Sequence, residues 1–175
     1  MNTTKYKPAF GMEILEFSFT VPMNFNPETQ IDCFVGKIQI TMKEKIRYLN
    51  PNLKSINFSK TRDKLIPGKA YKMALYPILS MAENEDCIDF LNEKKSLLVG
   101  AQGLTLIIEL LTENFLPLEK WIVAIEEKNN AFFDGKDHLM LMVRKYFNGN
   151  LHYDLAPAEG QWYNVHYLLG VFPLF

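Results

Sequence analysis

Three groups in the last third of the chain have types and spacing suited to metal or acid–base chemistry: His152, Asp154 and His166. His152 and Asp154 are two apart in a run that reads as a strand, so they point to one side, and His166 falls on the next strand, where it is expected opposite them. Together they would supply ligands for the divalent metal of a hydrolase, or a base and its orienting carboxylate. Against this, no HxxxH, CxxC or second carboxylate accompanies them, and solvated strand faces commonly carry His and Asp. No catalytic, cofactor or metal residue is therefore assigned from sequence, and a metal-dependent hydrolase ranks last of three readings.

Other reactive types have structural explanations. Val99 to Gly103, VGAQG, precedes a predicted helix, and glycines there can free backbone amides for an anion. The Lys-Ser/Thr of a phosphate loop is missing, however, so a turn between helices is the reading. Cys87 follows Asp86 in an apolar stripe, and acidic neighbours oppose a thiolate. Ser80 lacks a GxSxG context and reads as a helix cap.

Charge is uneven along the chain. Between Lys37 and Lys72 there are ten basic residues against two acids, Glu44 and Asp63, a local balance of +8 in a protein of net charge −1. Lys43, Lys45, Arg47, Lys60, Arg62 and Lys64, with Tyr48, Phe58 and Tyr71 interleaved, form the candidate set for phosphate neutralisation and base stacking. No nucleic-acid motif accompanies them, and basic runs are usually solvated, so this reading ranks second.

Aromatic and methionine side chains crowd the last third of the sequence. On the run His138 to Phe147, Leu139, Leu141, Val143 and Phe147 share one face, and Met140, Met142 and Tyr146 the other. Such surplus predicts a partner-binding surface using Met140, Met142, Tyr146, Trp162 and Tyr163.

The elements that position these groups follow from periodicity. Glu13 to Val21 alternates as a strand, and Ile31 to Met42 is expected to do so too, with Phe34, Ile38, Ile40 and Met42 on one side. A short strand is expected near Leu53 to Phe58, and Pro67-Gly68 turns the chain into another from Ala70. Ser80 and Glu83 have capping-box spacing, predicting a helix over 81–95 with acids first and Lys94 and Lys95 last. Leu104, Ile107, Ile108, Leu111 and Phe115 predict a second helix over 104–115. Trp121 to Ile125 is a strand. Asn148-Gly149 between apolar runs predicts a hairpin with a two-residue type I′ turn, which needs positive φ at both positions.

Helices in mid-chain and strands on both flanks define an α+β fold with a largely antiparallel sheet. Residues 1–11 are expected to be a flexible leader before a single domain, 12–175. The order of elements from Ser80 onward loosely resembles that of small uncharacterised bacterial proteins, a likeness of pattern that implies no activity. Two cysteines without ligand spacing, Cys33 and Cys87, suit a reducing cytoplasm, and no apolar run is long enough to span a bilayer. The leading expectation is a non-enzymatic interaction module, a small inhibitor or adaptor without cofactor, whose partner is another protein or a second copy of itself.

Overall fold

The computed structural model describes residues 7–175. Eight strands form one mostly antiparallel sheet: β1 (Leu15–Thr20), β2 (Ile46–Leu49), β3 (Ala70–Pro77), β4 (Trp121–Val123), β5 (Phe132–Phe133), β6 (His138–Lys145), β7 (Leu151–Pro157) and β8 (His166–Pro173). Their order is β1-β3-β8-β4-β6-β7-β2, with β5 added beside β6, and only β4/β8 and β2/β7 run parallel. The α+β expectation, with helices in mid-chain and a C-terminal hairpin, is met. Among the described residues no helix is long and apolar enough to cross a membrane.

Ile31 to Met42 is a correction. It forms helix α1 (Gln30–Thr41), not a strand. Its sequence carries both periods, but the helical set Ile31, Phe34 and Ile38 finds buried partners, whereas Ile40, assigned inward by the strand period, is 85% exposed. The first turn is fixed by an exchange with Ser55: the amide of Asp32 donates to Ser55 Oγ (3.0 Å) and the Ser55 amide to Asp32 Oδ1 (2.9 Å). Leu53 to Phe58 is likewise no strand, since Ser55–Phe58 is a single 3-10 turn; the strand lies earlier, at β2.

Helix α2 (Asn84–Glu93) begins three residues later than expected. Its capping box is acidic, joining Glu83 and Asp86, while Ser80 Oγ accepts the amide of Ala9 at 2.7 Å. Helix α3 (Gly100–Leu111) starts earlier than expected because VGAQG is its first turn. A Cβ on Gly103 would overlap the Val99 side chain, so glycine lets the first turn close. Thr105 is fully buried and bonds its hydroxyl to Ala101 O at 2.9 Å.

α1 and α3 cover one face of the sheet, burying Met73, Leu75, Ile122, Leu141, Val143 and Tyr153. On the other face, α2 and the strap 158–165 cover the β3, β8 and β4 region and reach Met140 of β6 and Ala156 of β7. There Cys87 and Leu91 meet Tyr76, Val123, Leu168, Met140 and Trp162. Full burial of a residue such as Leu91 contributes about 1.5–3 kcal/mol. Residues 1–6 of the expected leader lie outside the described residues; beyond them, Phe10 pairs with Ile78 and stacks on Phe90 at 4.3 Å.

The hairpin forms at the expected place with a different turn. A Tyr146–Asn150 pair closes the loop Phe147-Asn148-Gly149, and the Gly149 amide donates to Tyr146 O at 2.9 Å. Only Gly149 takes positive φ (82°), so the loop is a type I turn with a glycine bulge. Asn148 instead accepts the Asn150 amide on its side chain at 3.0 Å.

Candidate interaction surface on the open half of the sheet

Strand register builds the site. His166 on β8 pairs with Trp121 on β4, Trp121 with Arg144 on β6, Arg144 with His152 on β7, and His152 with Tyr48 on β2. Directly paired residues share a face, so these five form one row across the sheet. Alternation adds Met142 and Tyr146 beside Arg144, and Asp154 beside His152.

From Trp121 towards β2 no helix among the described residues covers this row. The Arg144 guanidinium lies 5.7 Å from the Trp121 ring centre and 4.8 Å from that of Tyr146, and Arg47 approaches Tyr146 at 4.5 Å. The His152 ring packs against Tyr48 at 4.9 Å and Trp121 at 5.1 Å. Tyr146 Oη and His152 Nδ1 are 3.1 Å apart, while Asn50 Nδ2 donates to Asp154 Oδ1 at 2.9 Å.

Glu119 anchors the cationic end. Its carboxylate pairs with Arg144 and accepts the Phe147 amide at 2.8 Å. The hydrogen bond from Arg144, then that from Phe147, holds this carboxyl below the usual range. The backbone of Glu119 has φ 59°, a conformation that costs a non-glycine residue about 1–2 kcal/mol and is held here by these bonds. Arg144 Nε is sealed from solvent without a hydrogen-bond partner, and His152 Nε2 has only the Asp154 carboxylate near it, at 3.5 Å. A buried polar group left unpaired costs roughly 1–3 kcal/mol, which makes the row unfavourable as mere scaffold.

The sequence candidates separate. Met142 and Tyr146 belong to the open row. Met140 and Trp162 do not: each is 2% exposed and packs in the core with α2, so neither is available to a partner. Tyr163 is exposed, but lies on the strap with its hydroxyl donating to Gln161. His152 Nε2 is 3.5 Å from Asp154 Oδ2. His166 stands three strand spacings away, about 14 Å. It accepts the Tyr163 amide at 3.1 Å, and burial lowers its pKa. Among the described residues no three His, Cys, Asp or Glu side chains gather in a metal-binding group.

The basic set also divides. Lys45 pairs with Glu113 at 3.2 Å, and Arg62 with Asp63 at 2.9 Å and Glu127 at 3.4 Å. Lys43 and Arg47 flank the β2 edge, whereas Lys60 and Lys64 lie on the loop leading to β3. Arg47 alone joins the open row.

Trp121, Arg144 and Glu119 were not among the sequence candidates, and Tyr48 was named only as a stacking residue of the basic segment. A signal existed for Arg144, which alternates in phase with Met142 and Tyr146. The others arrive only through register with distant strands. Comparison of the chain with protein-family models, curated proteins and solved structures finds no match.

Proposed function

We propose that this chain is a non-enzymatic interaction module, a small inhibitor or adaptor, that receives a partner protein on the open half of its sheet. The observation that carries the reading is the gathering of Trp121, Tyr146, Tyr48, Met142, Arg144 and Arg47 on one uncovered face. Trp, Tyr and Arg dominate the energetics of protein interfaces: the aromatic rings bury large surfaces with few rotamers to freeze, and Arg offers a planar fork of donors. Edge strand β2, beside the row, extends the surface to the rim of the sheet. Cys33 and Cys87 are unlinked, which suits a reducing cytoplasm.

The test is affinity purification from the native host with wild-type bait and with a Trp121→Ala/Arg144→Ala/Tyr146→Ala bait whose circular dichroism is unchanged. A partner should be retained by the first and by a Phe133→Ala control, and lost from the second. Recovery of the same proteins with all three would sink the reading. Light scattering on the same variants distinguishes a second copy from a different partner.

Arg47, shared by the basic segment and the open row, motivates a second reading, in which the row stacks bases. It predicts low-salt binding of labelled single-stranded oligonucleotides that weakens when Lys43, Lys45 and Arg47 are neutralised. Absence of any shift removes it. The hydrolase reading required His166 beside His152 and Asp154, and the register sets β4 and β6 between them.

A further inference from the structure

Two strands, β1 and β2, end the sheet, and they differ in how they meet solvent. β2 carries a bulge between Ile46 and Tyr48, has cations at Lys43, Lys45 and Arg47, and is followed by Pro51. Bulges, cations and proline are the means by which an edge refuses a further strand. β1 has none of them: Leu15–Thr20 pairs with β3 in unbroken register, and among the described residues no strand lies along its other side. The one charge in β1, Glu16, is paired with Lys72 at 3.1 Å.

The free edge offers main-chain groups as well as apolar surface. The Val21 amide donates to Lys69 O at 3.0 Å and Val21 O accepts the Gly68 amide at 2.8 Å, so the main chain of Val21 faces the β3 side. By alternation that of Phe19 and Phe17 does the same, and the donors and acceptors of Glu16, Ser18 and Thr20 point away from the sheet. Large apolar side chains lie exposed at both ends of the strand, Met12 (87%) and Ile14 before it and Met23 (80%) after it, with Phe17 between them.

We propose that β1 is the contact between two copies of this chain, paired antiparallel about a twofold axis at Ser18. In that register Ser18 faces Ser18 of the second copy and Glu16 faces its Thr20, so each outward residue meets an outward residue and about six main-chain hydrogen bonds form. A register centred on Glu16 would oppose two carboxylates, and one centred on Phe17 would set Thr20 against Ile14, which precedes the regular strand. On the other face Phe17 meets Phe19 of the second copy. The start of one strand comes level with the end of the other, which brings Met12 and Ile14 beside Met23 of the second copy. A strand that joins a twofold contact must be its own complement, and β1 is: polar residues fall opposite polar ones and apolar opposite apolar. Because β1 and β2 close opposite ends of the sheet, the contact leaves the open row of each copy free, and it does not depend on what that row binds.

Light scattering and sedimentation of the full chain test the contact. Wild type should show twice the monomer mass. Ser18→Lys, which sets two ammonium groups opposite each other on an exposed strand, should keep its circular dichroism and weaken the dimer about tenfold or more. Cross-linking reads the register in a Cys33→Ser background. Ser18→Cys should form a disulfide-linked dimer under mild oxidation, because paired residues at the axis have Cα atoms about 5.5 Å apart. Thr20→Cys should not, since its counterpart lies about 13 Å away along the strand. The Trp121→Ala/Arg144→Ala/Tyr146→Ala variant should dimerise like wild type whether or not it loses a partner. A wild-type chain that stays monomeric at roughly 100 μM overturns the proposal, including one whose β1 edge takes a strand of a different protein. So does a dimer that survives Ser18→Lys, or a Thr20→Cys cross-link as rapid as that of Ser18→Cys.

Discussion

Along β6 and β7, alternate residues go to surfaces with opposite fates. Leu141, Val143, Tyr153 and Leu155 lie in the core beneath α1 and α3, while their neighbours Arg144, His152 and Asp154 stand half-buried on the part of the opposite face beyond α2, with Met142 packed at the edge of the α2 core. Length accounts for the difference. α2 has ten residues, which makes it about 15 Å long, against roughly 29 Å between the outer strands of a seven-strand row. One short helix and a strap seal part of that face; two twelve-residue helices side by side seal the other. Polar and aromatic residues on β6 and β7 thus begin where the cover ends.

Mutations at neighbouring positions sharpen this contrast. Leu141→Ala should cost about 3–4 kcal/mol in urea unfolding, because it deletes atoms from a packed layer that cannot collapse around the gap. Equal losses at Leu141 and Arg144 would erase the distinction between the faces.

Glu126, just past β4, tests the seam between the two sides. It is 4% exposed; its Oε2 accepts the Arg62 amide at 3.1 Å and lies close to Gly100 of α3. Its own carbonyl accepts Asn84 Nδ2 of α2 at 3.1 Å. Burial pushes its carboxyl up to about 7 from 4.5. The folded state therefore keeps a proton that the unfolded chain has released. This contribution is complete below the unfolded value and is lost as pH rises through about 7, a swing on the order of 3 kcal/mol. Urea titrations at pH 5 and pH 8 should show the fall in wild type and a flatter response in Glu126→Gln. An unchanged slope in the variant would place the titration elsewhere.

Gly149→Ala should lose about 1–2 kcal/mol, since φ of 82° at that position disfavours a side chain. Smallest of all, Tyr146→Ala on the open row should cost about 1 kcal/mol or less, the value of an exposed cation–π contact. A loss there as large as at Leu141 would mean the open row is core.

Legibility in the sequence follows the locality of the cause. The hairpin, α2 and α3 were readable because a turn glycine, a charge gradient and an apolar stripe are local signals. α1 was misread because Phe34, Ile38, Ile40 and Met42 fit alternation as well as Ile31, Phe34 and Ile38 fit a helix. Only burial against α3 and Tyr153 decides between them. Ser80 and Glu83 matched a capping box by spacing, yet the amide of Ala9 competes for the Ser80 oxygen. The open row was legible in part, through Met142, Tyr146, His152 and Asp154. Trp121, Glu119 and the place of Tyr48 in the row enter by pairings that span up to about a hundred residues, and no local pattern carries that information.

The strand order also has a consequence for how the chain is made. β8, formed by His166–Pro173, lies between β3 and β4. During vectorial synthesis β3 and β4 emerge long before the strand that joins them, and until residue 173 clears the ribosome the sheet is two separated pieces. Nascent chains stalled before β8 should accordingly be protease-sensitive throughout, and completion of that strand should convert them in one step.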